Sequence, residues 1–178
     1  GMRMASSDDI ALSKFVCLKG QIPTVEIAKR LQQEAAVIRL KNGKLAAVKI
    51  DALLKSESAT KYDPSAVAWI ENPAAQNLNT ASFVSVAADG STIEGGDRAS
   101  NKPLSYMPQM DSRQLRNMEK VLIHRGSIMR PLSLEVVAGD ALRVGDRVLV
   151  ALTVAHRVDT GALGGNSVAV TKIWLSSL

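Results

Sequence analysis

The dipeptide Asn42-Gly43 stands between two runs that alternate in polarity, Val37-Ile38-Arg39-Leu40-Lys41 and Lys44-Leu45-Ala46-Ala47-Val48-Lys49-Ile50. Two successive residues that tolerate positive φ are what a type I′ turn requires, and the twist of that turn matches the strands on either side of it. Folding about the turn sets Leu40 opposite Leu45 and Ile38 opposite Ala47, while Arg39, Lys41 and Lys44 gather on the other face. The expectation is a β-hairpin with one packing face and one cationic face.

A different reading of the same stretch has to be set aside first. Val25-Glu26-Ile27-Ala28-Lys29-Arg30-Leu31 resembles the opening helix of a helix-turn-helix, and Val37-Ile38-Arg39-Leu40-Lys41-Asn42-Gly43 resembles the end of its recognition helix. Residues 37–43 cannot be both a helix and half of a hairpin. Gln32-Gln33-Glu34 lacks the glycine often found in the intervening turn, whereas the Asn-Gly turn and the facing apolar pairs agree with each other. The hairpin is therefore preferred.

Elsewhere the local signals divide between helix and strand. Pro23-Thr24-Val25-Glu26 reads as a helix start, with Thr24 capping and Glu26 at the positive end of the dipole, and gives a short helix over 24–36. Asp111-Ser112-Arg113-Gln114 is a capping box, followed by Leu115, Met118, Val121 and Leu122 on one helical face, which gives a second helix over 111–124 ended by Gly126. Residues 66–70, 81–86, 132–137, 147–154 and 167–175 read as strands. The stretch around 88–110, with Asp89-Gly90, Gly95-Gly96-Asp97, Pro103 and Pro108, reads as the longest loop. At 178 residues, 46% of them hydrophobic, the chain can bury one substantial core. The fold class expected is α+β, a single domain over 2–178: predominantly antiparallel β, as a meander or small barrel, with two short helices.

Composition excludes several classes. The longest apolar run, residues 148–155, is interrupted at Thr153 and falls far short of the roughly 20 residues that span a bilayer, so no membrane contact is expected. Gly1 ahead of Met2 is read as left by tag cleavage, and no signal-peptide core follows Arg3. The lone Cys17 cannot make an internal disulfide, and in Phe15-Val16-Cys17-Leu18 it is expected to be a buried, inert thiol. Together these give a cytoplasmic expectation. Trp69 and Trp174, in apolar strand contexts, are expected as core anchors.

Chemistry-bearing motifs are sparse. His124 and His156 with Cys17 have no metal-ligand spacing, no cofactor fingerprint occurs, and Gly161-Ala162-Leu163-Gly164-Gly165 lies between strands, where no helix dipole backs a phosphate cradle. The charge is more informative: residues 1–60 hold ten basic against six acidic side chains, 61–100 two against five, and 101–178 ten against six. A non-enzymatic module is therefore expected, binding nucleic acid or another polyanion through Arg39, Lys41 and Lys44 on the hairpin and Arg113, Arg116 and Lys120 on the second helix. Residues 145–150 and 168–174 around the glycine-rich loop are similar in outline to the closing hairpin of an OB-type barrel, although only six aromatic rings are available for base stacking. Two alternatives stand beside this reading. One is a structural subunit that assembles with copies of itself by edge-strand pairing at the C-terminal hairpin. The other is a small enzyme with His124 as acid/base near the 88–108 loop.

Overall fold

The computed structural model describes residues 3–4, 10, 15–55, 60–71, 80–96, 102–162 and 164–178. The centre of the 88–110 loop at 97–101 and Leu163 in the glycine-rich segment lie outside the described residues. The fold is α+β, with short helices and mostly antiparallel or mixed sheets. The chain divides into two compact units: Gly1–Asp51 with Ala74–Val121, and Ala52–Pro73 with Leu122–Leu178.

In the first unit β1 (Arg3–Met4) pairs in parallel with β3 (Lys44–Lys49), which pairs antiparallel with β2 (Ala36–Lys41). The hairpin register is the expected one, Leu40 against Leu45 and Ile38 against Ala47. Asn42 and Gly43 have φ of 52° and 71°, the two left-handed residues of the turn. The faces are not disposed as expected. Ile38 and Leu40 are 50% and 51% exposed, while Arg39 on the opposite face is half-buried. Alternation fixes which side chains share a face, but not which face another layer will cover.

Helix α1 (Pro23–Gln33) starts one residue earlier and ends sooner than expected. Its cap is Ile22, which accepts the first backbone bonds without a side-chain cap, and Pro23 fills the first turn, where a missing N–H costs nothing. Thr24 therefore lies inside the helix. The chain leaves α1 through Ala35 at φ 50°, and Asn117 Nδ2 donates to Gln33 O at 3.0 Å, satisfying an end carbonyl.

The rest of this unit is a three-stranded sheet of β7 (Thr92–Glu94), β6 (Ser82–Val86) and β8 (Leu104–Tyr106), with β6 central. Two short strands thus lie inside the stretch read as loop; three residues are too few for polarity alternation to register. Helix α3 (Ser112–Met118) packs on β6 and β7, with Leu115 fully buried. Its capping box forms as expected: Gln114 N donates to Asp111 Oδ1 at 2.7 Å and Asp111 N to Gln114 Oε1 at 3.1 Å. Gly95 is required where it stands, because a Cβ there would meet the backbone of Leu115 and Arg116 at 2.8 Å. The helix stops at Met118, short of the expected 124. The division between units falls inside the short helix α2 (Ile50–Lys55).

The second unit is a six-stranded sheet, curled into a half-barrel, in the order β4 (Lys61–Tyr62), β10 (Ala141–Val144), β11 (Arg147–Asp159), β12 (Val168–Ser177), β9 (Ile123–Pro131), β5 (Val67–Trp69). Its core is aliphatic: Val67, Ile128, Val136, Leu142, Val144, Leu149, Ala151, Ile173 and Leu175. The expected strand at 132–137 is irregular, and the strand lies just before it as β9. Gly126, read as a helix stop, sits within β9 opposite Trp69; a Cβ there would meet Ala68 O at 2.8 Å, so the close strand approach demands glycine.

Three burial expectations are corrected. Trp69 is 41% exposed, its indole N–H donating to Pro64 O at 3.1 Å. Trp174 is half-buried with Lys172 Nζ 4.9 Å from its ring centre, so aliphatic Ile173 and Leu175 anchor β12 instead. Cys17 is half-exposed, because Phe15, Val16 and Leu18 around it are themselves exposed.

Candidate functional site

All six basic residues expected to bind a polyanion belong to the first unit, and several are engaged. Arg113 makes a two-pronged bond to Glu34, Nη1 to Oε2 at 2.6 Å and Nη2 to Oε1 at 2.9 Å. That hydrogen bonding, together with the charge of Glu34, raises the guanidinium pKa further above its ordinary value. Lys120 Nζ lies 2.7 Å from Asp51 Oδ2. Both ion pairs join residues far apart in sequence, which is why the linear count of charges missed them. Arg39, Lys41 and Lys44 share one face of the hairpin, Arg39 being partly covered; Lys44 and Arg116 are exposed and make no ion pair among the described residues.

The histidines are placed by strands rather than by a helix or loop. His124 in β9 has Nε2 2.9 Å from Gly126 O, and His156 in β11 has Nδ1 2.9 Å from Thr171 Oγ1. Neither contact brings the carboxylate that an acid/base pair would use. Among the described residues no three His, Cys, Asp or Glu side chains gather as metal ligands.

The second unit presents a feature that the charge pattern did not indicate. β10 pairs with β11 only over Arg147, Val148, Leu149 and Val150, and the loop before β10 adds bonds to Ala151. At Leu152 the register shifts, and the remainder of β11, residues 153–159, pairs with β12 alone. Its other edge carries no strand among the described residues. Every residue from 153 to 159 except half-buried Val154 is exposed, with Val158 at 62%, and Met129 on β9 is exposed at 66%. The charged pair on this edge, Arg157 Nη2 to Asp159 Oδ2 at 3.7 Å, lies at its far end.

The same unit contains a groove of about 560 Å³ lined by Trp69, Ile70, Arg125, Arg147, Val148, Leu149 and Ser177. Sequence reading missed it because its residues come from four strands and because Trp69 was assigned to the core. The signal was present only as separate arginines beside β-branched runs.

No family model matches the chain, and no curated protein matches it. Among solved structures it is similar to the crystal structure of the tail protein from Neisseria meningitidis MC58, with a TM-score of 0.57 and 11% sequence identity, over 94% of this chain. The chain spans 58% of the length of that protein. At this identity the likeness is one of fold.

Proposed function

We propose that this chain is a structural subunit that assembles with further copies of itself, and that the edge of β11 over residues 153–159 is the joining surface. The observation that carries this reading is the length of that edge. Among the described residues, seven consecutive strand residues have a partner strand on one side only, so alternate N–H and C=O groups point outward as a template for another strand. Natural edges are usually short, charged or covered; this one is long, holds Ala155 and Val158, and keeps its charges at the end. The fold likeness to a protein described as a tail protein supports the same reading.

Light scattering after size exclusion tests it. A discrete oligomer that persists at 1 M salt is expected, since strand pairing and apolar contact are not screened; a monodisperse monomer at about 0.1 mM overturns the proposal.

Polyanion binding is the weaker reading. Arg113 and Lys120 would have to give up Glu34 and Asp51 to meet a phosphate, which leaves Lys44, Arg116 and part of the hairpin face. Salt-sensitive retention on heparin that is lost on changing Lys44 and Arg116 to Glu would favour it.

A further inference from the structure

The groove in the second unit has the chemistry of a receptor rather than of a surface crease. Two guanidinium side chains, Arg125 and Arg147, line it, and no carboxylate side chain among the described residues does. Arg125 is held by two of its nitrogens, Nε to Ser177 Oγ at 2.9 Å and Nη2 to Leu178 O at 2.8 Å, which leaves Nη1 without a partner among the described residues. Arg147 makes no ion pair or hydrogen bond there through its side chain. Both guanidinium groups stand beside the apolar walls of Ile70, Val148 and Leu149, where an anion can accept from them.

The third component is the indole. The Nε1 bond to Pro64 O holds Trp69 in one orientation, although it is 41% exposed. A held, exposed aromatic ring at a groove wall offers a stacking surface whose ordering cost is already met. Tryptophan is among the costlier residues to leave in water, and this one does not serve the core.

We infer that this groove binds a small ligand made of a flat ring carrying an oxyanion, the ring against Trp69 and the oxyanion between Arg125 and Arg147. Its volume falls in the range of small-molecule sites and suits one ring system with one anionic group. Phosphate and carboxylate both fit the planar donor fork of arginine, so the anion can come from a nucleotide or from an aromatic acid.

The test is titration of the full chain by heteronuclear NMR, following the two indole N–H signals, with Trp174→Phe assigning that of Trp69. The probes are adenosine 5′-monophosphate, phenylacetate, adenosine and inorganic phosphate. Saturable movement of the Trp69 signal with the monophosphate, with phenylacetate or with both is expected, and which of them binds identifies the anion. Arg147→Ala should weaken that binding about tenfold or more, with Arg147→Lys recovering part of it, because a point charge replaces the fork. Arg147 is exposed, so its replacement leaves the core intact. The inference is overturned if neither anionic probe gives saturable movement. It is equally overturned if adenosine or inorganic phosphate binds as tightly as the monophosphate without phenylacetate binding, or if Arg147→Ala binds as well as the wild type.

Discussion

Two ribbons of this molecule, the β2–β3 hairpin and the far end of β11–β12, are both antiparallel pairs joined through a segment that contains glycine. They end differently. In the first, six-residue strands close on a two-residue turn, and β1 lies along the outer edge of β3 at its tip. In the second, a 13-residue strand runs well past its neighbour β10 and leaves one edge without a partner strand among the described residues. Turn chemistry sets register in the first, and the relative lengths of neighbouring strands decide how far backbone donors and acceptors are used up in the second. β2 is also the outer strand of its sheet, but it is shorter, carries Arg39 and Lys41 and packs against α1, whereas residues 153–159 of β11 are exposed but for half-buried Val154.

The comparison breaks first, and with the largest effect, at the base of the second ribbon. Ile173 in β12 is fully buried, and Ile173→Ala should cost about 2–5 kcal/mol through lost transfer energy and a cavity. Ile38→Ala, at a half-exposed position of the first ribbon, should cost less than about 1 kcal/mol. Urea unfolding of the two variants measures the difference, and equal costs would mean that Ile38 is covered in solution.

Next in size is the turn itself. Gly43→Val forces a branched side chain to φ 71° and should destabilise by about 1–2 kcal/mol, with the loss read from the urea midpoint. A neutral result would mean that the hairpin closes on another register.

The ion pair of Arg113 with Glu34 comes below that. Arg113 is 55% exposed at its side chain but Glu34 only 13%, so Arg113→Met leaves a largely covered carboxylate without its partner and should cost about 1 kcal/mol, only partly reduced at high salt. No measurable loss would mean that Glu34 is solvated.

The smallest effect is shared by both units. Asp63 and Asp89 each accept from the hydroxyl and the amide of the serine two residues on, and those bonds lower both carboxyl pKa values. Each contribution is complete above the ordinary carboxylate range and fades as pH falls through the lowered folded value. The Ser65 and Ser91 amide shifts should therefore titrate with midpoints below that of a model aspartate, and midpoints at the model value would show the bonds to be absent.

What was legible in the sequence was local. Asn42-Gly43 specified the hairpin register residue by residue, and Asp111-Gln114 specified the start of α3, because each motif satisfies its own backbone groups within four residues. What was hidden depended on partners distant in sequence. The end of α3 and the assignment of residues 123–131 to β9 are decided by pairing with β12, some forty residues further on. The exposure of Trp69 follows from β5 being the outermost strand of its sheet. The groove gathers Trp69, Arg125, Arg147 and Ser177 from four strands, and the ion pairs of Arg113 and Lys120 reach 79 and 69 residues along the chain. None of these has a period that a window of sequence can hold.

Backbone hydrogen exchange followed as protein concentration rises addresses the bare edge of β11 most directly. Alternate amides within residues 153–159 should become protected as copies pair, while those of β2 and β3 exchange at unchanged rates. Exchange along 153–159 that stays fast and independent of concentration would contradict the account.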